Sequence, residues 1–407
     1  MTNVVFVAPY ALEATARFVD AVAHVPGAQV GLVSSDPIDA FPPSVRLATA
    51  GHWRVDNCLD ADQLTEAVST MARHLGSVDR LVAILENLQV PLAQVRDRLG
   101  IDGMTADVAD RFRDKARMKA AFEAAGVPCA RSGQVASTDD AEEFAQRVGF
   151  PFVAKPLAGA GARNTFRIDE PAQLTAWLTD APPRPEEPML LEEFVRGDEH
   201  SFDSVVIDGR LVWHSISRYL PSPLDVLSHP WIQWCVMLPR DIDGPEYAEI
   251  VGLGHHAVTA LGLRTGLSHM EWFRRADGSL AVSEVGARPP GAQFMSLMSF
   301  AHDVDMYAAW AGLAVEDHFD PPERRYAVGA AYLRAQGPGR SIVAAHGLDR
   351  VSEATQAAVV DVRLPGRGDR PSGTYEGDGY VIVRDHDTAV VERALGELVS
   401  TIRLECG

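Results

Sequence analysis

The run Phe150-Pro151-Phe152-Val153-Ala154 ends on Lys155, and Pro156-Leu157-Ala158-Gly159-Ala160-Gly161-Ala162 follows it. A short apolar run bounded by turn residues reads as a buried strand. This one carries a single charge out of the core and into a loop of small residues. The charge is also unusual in kind. Of 37 basic residues only Lys115, Lys119 and Lys155 are lysine, so 37 minus 3, or 34, are arginine. A chain with that preference keeps lysine where a compact ammonium on a flexible stem serves better than a planar fork. Phosphate oxygens met by a point charge are such a place. A strand delivering a lysine into a glycine-containing loop therefore points to a nucleotide triphosphate site.

At 407 residues the chain is too long for one core and divides into several packed units. Its 46% hydrophobic and 23% charged content are ordinary for a soluble globular protein. A formal charge of −19 argues against nonspecific binding to nucleic acid or to an anionic membrane, while leaving room for a local cationic pocket. Cys58, Cys129, Cys235 and Cys406 lie far apart with no CxxC pair, which indicates neither a zinc site nor a disulfide framework. The apolar start has no basic residue before Arg17 and reads as a buried strand rather than a signal peptide. No apolar run reaches the ~18 residues of a membrane-spanning helix. A soluble, cytoplasmic protein is expected.

The element pattern is α/β and α+β in several domains. Residues 1–105 alternate apolar runs (4–7, 30–33, 81–85) with amphipathic stretches (11–23, 61–75), the pattern of a mostly parallel sheet with helices on its faces. Neither GxGxxG nor GxxxxGK[ST] occurs in it. A small α+β unit spans 106–195. It has a helix over 109–125 closed by Gly126 with Pro128 beyond, and another begun by Ser137 and ended by Gly149. A larger unit spans 196–320 and holds two hairpins. One turns at Asp208-Gly209, which suits a two-residue turn with positive φ; the other turns at Ala276-Asp277-Gly278. Residues 219–245, with several prolines, Tyr219, Trp231 and Trp234, read as a loop-rich insertion. Residues 321–407 read as a separate β-rich domain ending in a helix over 388–402.

The second hairpin carries Glu271 and Glu284, one on each arm, within His269-Met270-Glu271-Trp272-Phe273 and Ala281-Val282-Ser283-Glu284-Val285. A charge among apolar strand residues is costly unless paired or metal-bound. Alternation can put both carboxylates on one face, where divalent cations could be shared. His269 falls on the side of Glu271. Arg288 follows in Gly286-Ala287-Arg288-Pro289-Pro290-Gly291, a rigid turn that would hold a guanidinium near the metals. His255-His256 lack a third ligand at suitable spacing and read as ordinary helix-surface histidines. Glu86 ends an apolar run and could meet a substrate amine or merely start a helix.

Taken in order, Asp114-Lys115-(x3)-Lys119, Lys155-Pro156, the glycine loop, Glu192-Glu193-Phe194-Val195-(x3)-Glu199, then Glu271 and Glu284 before a Pro/Gly turn resemble the ATP-grasp superfamily over roughly residues 105–320. The resemblance implies an ATP-grasp fold with an N-terminal parallel α/β domain and a C-terminal β-rich domain. ATP would be bound with Mg2+, Mn2+ being an alternative. It implies that Lys115 and Lys155 contact phosphates and that Gly159 and Gly161 close over them. Glu192, Glu193, Phe194 and Val195 would form the adenine hinge, and Glu199 would accept ribose hydroxyls. Glu271 and Glu284 would bind metal, with Arg288, Lys155 and His269 nearest the chemistry. The family's common asparagine two residues after the second glutamate is Gly286 here.

The implied activity is carboxylate–amine ligation through an acyl phosphate, most similar to the L-amino acid ligase branch. The partners would be a small-molecule carboxylate and an amine, with a homodimer left open. Two alternatives stand beside it: carboxylation through carboxyphosphate, and an ATP-binding regulator without turnover.

Overall fold

The computed structural model describes residues 1–159 and 164–407. The N-terminal unit is a four-stranded parallel sheet in the order Thr49–Arg54, Ala28–Ser34, Thr2–Val7, Arg80–Val82. Its centre strand carries the uninterrupted run Val4-Val5-Phe6-Val7, buried because helices cover both faces. The expected strand over 81–85 is shorter. It stops at Val82, and Leu85 instead leads into the single turn Glu86–Leu88.

The helix expected over 109–125 is two, Ala106–Arg113 and Lys115–Ala125. Between them Asp114 leaves helical geometry, and its carboxylate accepts hydrogen bonds from the N–H groups of Ala116 and Arg117. An aspartate can cap the second helix in this way, so the break costs little. It also places Lys115 in the first turn of that helix. The small unit is an antiparallel sheet ordered Ser132–Val135, Met189–Glu193, Phe152–Pro156, Phe166–Ile168. Phe144, Phe152, Leu191 and Trp177 pack between it and the helices Thr138–Val148 and Pro171–Asp180.

The third sheet has eight strands in the order Leu280–Gly286, Gly266–Arg275, Gly197–Ile207, Arg210–Leu220, Trp234–Leu238, Ala327–Leu333, Gly379–Asp385, Val359–Arg363. Two expectations are corrected here. The supposed loop 219–245 contains Trp234–Leu238, five buried residues paired on both sides. A strand buried on both faces shows no alternation, and the prolines around it masked the run. In the β-rich stretch 321–407 three strands continue the same eight-stranded sheet, and only Ile342–His346 and Arg403–Cys406 pair in a two-stranded sheet of their own. The helix Phe294–His302, which the sequence pattern did not suggest, lies beyond the Pro/Gly turn. Among the described residues no helix is long and apolar enough to cross a membrane.

Alternation along Gly197–Ile207 divides the molecule. Phe202 and Val206 face the helices Ala248–Leu261 and Lys115–Ala125, while Val205 joins the core on the other side. The polar residues Glu199, Ser201 and Asp203 share the side of Val205. Gly254 makes the first packing possible: a Cβ there would lie 2.6 Å from Phe202 Cε1. Gly254→Val should therefore cost about 1–3 kcal/mol. It should appear as a lower urea midpoint at unchanged m-value; a midpoint that stays or rises would contradict the close approach.

Candidate nucleotide and metal site

All three lysines converge on glutamates. Lys155 and Glu192 sit on adjacent strands of the small sheet and form an ion pair. Lys119 Nζ lies 2.9 Å from the other Glu192 oxygen and donates to the Ser283 carbonyl at 2.8 Å, which ties the small sheet to the hairpin of Glu271 and Glu284. Lys115, one helical turn before Lys119 and so on the same face, is 3.1 Å from Glu284 Oε1 and 3.2 Å from the Gly159 carbonyl. Arg113 donates to that carbonyl as well, at 2.9 Å. Burial would raise the Glu192 carboxyl, but the charges and hydrogen bonds of Lys119 and Lys155 outweigh it and bring it down to about 2.

Glu271 and Glu284 stand directly opposite each other across the hairpin, and the register shifts just after Glu271. Opposed residues share a face, so the expected placement of both carboxylates together is realised. They are not electrostatically alike. Glu284 is held below its ordinary value because Lys115 and Lys155 overcome its burial. Glu271 is raised by burial and by repulsion from Glu284. On the next strand Glu199 is raised well above the ordinary range, by burial first and then by Glu271. The site thus has more negative charge than its lysines cancel. Two carboxylates open to further oxygen ligands suit Mg2+, which is commonly held by one or two carboxylates together with substrate phosphates. Among the described residues no group of three or more His, Cys, Asp or Glu forms a protein-only cage.

His269 continues the same face. Its Nδ1 is 2.7 Å from Asp203 Oδ1 and its Nε2 is 3.3 Å from the Tyr219 hydroxyl. Desolvation would lower its pKa, but Asp203 more than compensates and raises it. Arg288 is fixed on its turn by Glu86, Nε to Oε2 at 2.5 Å, and by the Pro289 carbonyl at 2.8 Å. Gly286 allows this: a Cβ there would lie 3.2 Å from the same Glu86 oxygen.

The expected hinge is placed in two parts. Glu192 pairs with strands on both sides, so its backbone lies inside the sheet and its carboxylate serves the lysines. Glu193 forms ion pairs with Arg131 and Arg275. The N–H groups of Glu193 and Phe194 are taken by the carbonyls of Arg131 and Pro151, whereas that of Val195 has no partner among the described residues. The Arg167 guanidinium lies 4.2 Å from the Phe194 ring centre. Gly161 falls outside the described residues. His255 and His256 meet the backbone carbonyls of Gly209 and Ala125.

Asp203 was not recognised from sequence as a member of the site, while Lys119 was given no role beyond its place in the lysine motif and Tyr219 none beyond the 219–245 insertion. Asp203 had a signal, a carboxylate two residues from Ser201 and flanked by Phe202 in an apolar strand. Glu86 was visible as the charge ending an apolar run and Tyr219 as part of the 219–245 insertion, but their contacts with Arg288 and His269 join distant segments.

A small antiparallel lid sheet, a large sheet bearing opposed glutamates and lysines between them define a class: the chain has the ATP-grasp fold. Residues 114–210 match the family described as carbamoyl-phosphate synthase L chain, ATP binding domain. An L-amino acid ligase from Bacillus licheniformis has a solved structure similar at TM-score 0.80 and 18% identity, over 100% of this chain and 99% of that one. N5-carboxyaminoimidazole synthetase from Staphylococcus aureus, complexed with ADP, gives a TM-score of 0.73 at 14% identity over 98% and 97%. In sequence the chain is 26% identical over 274 residues to the L-arginine-specific L-amino acid ligase of Bacillus subtilis, covering 65% of each. It is 25% identical over 254 residues to the alanine–anticapsin ligase of Bacillus subtilis, covering 56% of this chain and 52% of that protein. The chain thus spans from about half to just under two thirds of the length of these curated relatives.

Glu192 gives the site a pH signature. Its carboxyl is depressed in the folded state from an ordinary value of 4.5 to about 2. Its stabilisation is therefore complete above about pH 4.5 and is lost as pH falls toward 2. Glu192→Gln should flatten the decline of the unfolding midpoint across that window. At pH 7 it should cost about 3–5 kcal/mol, because two buried lysines lose their partner. An unchanged acid limb would contradict the clamp.

Proposed function

We propose that this chain is an ATP-dependent carboxylate–amine ligase that joins small molecules through an acyl phosphate and releases ADP and phosphate. The observation that carries the reading is the in-register pair Glu271 and Glu284, flanked by Lys115 and Lys155 and followed by Arg288. The likeness in fold to an L-amino acid ligase supports it.

In this reading Lys115 and Lys155 exchange their glutamate partners for phosphate oxygens, beside the Gly159 backbone that Lys115 already meets. The backbone from Glu193 to Val195 meets the adenine edge, Val195 offering its unpartnered N–H, and Glu199 accepts from the ribose. Glu271 and Glu284 would hold Mg2+, which when bound would supply positive charge against the phosphoryl group being transferred.

A carboxylate oxygen of the donor attacks the γ-phosphorus, the bond to the β,γ-bridging oxygen breaks, and ADP leaves. The amine nitrogen then attacks the acyl carbon and loses a proton. Phosphate departs with one oxygen from the donor. Positioning and charge neutralisation do most of this work. Arg288, oriented by Glu86, faces the acyl phosphate. His269, oriented by Asp203 and Tyr219, presents a positive edge to the acyl carbon's developing oxyanion. A cytoplasmic location, where ATP and such substrates meet, follows from the same reading.

Pairs of amino acids supplied with ATP and Mg2+ should release ADP and phosphate in equal amounts. The product should have the mass of the two amino acids less one water. Lys155→Ala should lower this rate at least ~10²-fold, the order seen when one preorganised charge is removed. Lys155→Arg should not restore it, because a planar fork replaces the point charge poorly. Turnover requiring bicarbonate instead of an amine would favour carboxylation. Nucleotide binding without turnover would favour a regulator.

A further inference from the structure

Asp203, on the strand Gly197–Ile207, is 1% exposed. A buried carboxylate is costly unless donors meet its oxygens. Oδ1 faces His269 Nδ1 at 2.7 Å, and Oδ2 accepts from the Ser201 hydroxyl at 3.1 Å. Ser215 stands opposite Asp203 in the register, but its hydroxyl pairs with Arg324, whose guanidinium also meets the Pro239 carbonyl at 2.5 Å. Among the described side chains, Oδ2 therefore depends on Ser201 alone.

Ser201 in turn stands opposite Ser217, with 2.7 Å between the two hydroxyl oxygens, and both serines are fully buried. The order of protons follows from what each group can do. A carboxylate only accepts, and a serine hydroxyl has one proton. Ser201 spends its proton on Asp203, so Ser217 is the donor in the serine pair. Hydrogen bonds in such a row polarise one another. Asp203 is thus held on both oxygens, and His269 Nδ1 is the nitrogen that carries a proton, which turns Nε2 toward Tyr219.

The other face of the same strand carries a pair of the same chemistry. Ser204 meets Ser268, oxygen to oxygen at 2.7 Å, equally buried, and makes no hydrogen bond to this row. The two serine pairs differ only in what lies next to them: the pair of Ser201 and Ser217 ends on the carboxylate that orients His269.

We propose that Ser201, backed by Ser217, is a positioning residue for amide formation, anchoring Asp203 so that His269 keeps its ring turned to the acyl carbon. This rests on the ligase reading and on the role given there to His269.

The test times the two chemical steps apart. The common L-amino acids are supplied two at a time with ATP and Mg2+, and the pair that the wild type joins fastest is taken into single-turnover rapid quench. Ser201→Ala should slow amide formation at least ~5-fold, the scale of one buried acceptor left unmet, with ADP formed at the wild-type rate. Ser204→Ala, the same change on the other face, should alter neither rate. His269→Asn keeps an N–H for Asp203 and removes the Nε2 edge. On that background Ser201→Ala should have no further effect, because residues that act as one unit are not additive. Ser217→Ala should show the Ser201→Ala pattern in smaller measure, and it carries the test if Ser201→Ala does not fold. An unchanged amide rate, ADP and amide slowed together, an equal loss in Ser204→Ala, or a loss that persists beside His269→Asn would overturn the assignment while leaving ligation intact. No amide from any pair with the wild type would overturn the ligase reading and this assignment together.

Discussion

The neutralisation of buried carboxylates by three lysines is the interaction on which the rest of the site depends. Glu192 lies at the seam between the small sheet and the large one, and it is tolerable there only because Lys119 and Lys155 reach it from two different elements. Lys119 also grips the Ser283 carbonyl, one residue before Glu284. A buried ion pair of this kind adds little net stability, but it fixes register. Here it sets the strand Phe152–Pro156, the helix Lys115–Ala125 and the hairpin of Glu271 and Glu284 against one another.

The clamp leaves an imbalance that the chemistry can use. Lys115 and Lys155 depress Glu284, while Glu271 and Glu199 are raised. Divalent cations would relieve those two carboxylates, and a triphosphate would then draw Lys115 and Lys155 away from their glutamates. Metal and nucleotide favour each other's binding in such a site, because each supplies the counter-charge the other requires. Arg288 is kept apart from this exchange by Glu86, which fixes it on its turn.

Much of this was legible in the sequence because strand alternation converts spacing into a face. Glu271 and Glu284 could be placed together from their hairpin context alone, and Lys155 from the run that precedes it. The failures share a cause. Trp234–Leu238 lacks alternation because both its faces are buried, and Ala327–Leu333 finds it as a partner across 90 to 98 residues of chain. Tyr219 and Glu86 meet His269 and Arg288 only through sheet order and domain packing, which no local pattern encodes. Asp114 was misread because an aspartate inside a helical pattern can either stay exposed or cap a new helix. The hydrogen bonds to Ala116 and Arg117 decided it.

The claim at the centre is that phosphate leaves through an acyl phosphate formed on the donor carboxylate. Isotopically labelled carboxylate oxygens follow that path directly. With a labelled donor, an amine and ATP, each phosphate released in a single turnover should carry one donor oxygen. The ADP should carry none. Phosphate free of label, with amide still formed, would mean that the donor carboxylate never attacked phosphorus, and the roles given to Lys155, Arg288 and the paired glutamates would have to be withdrawn.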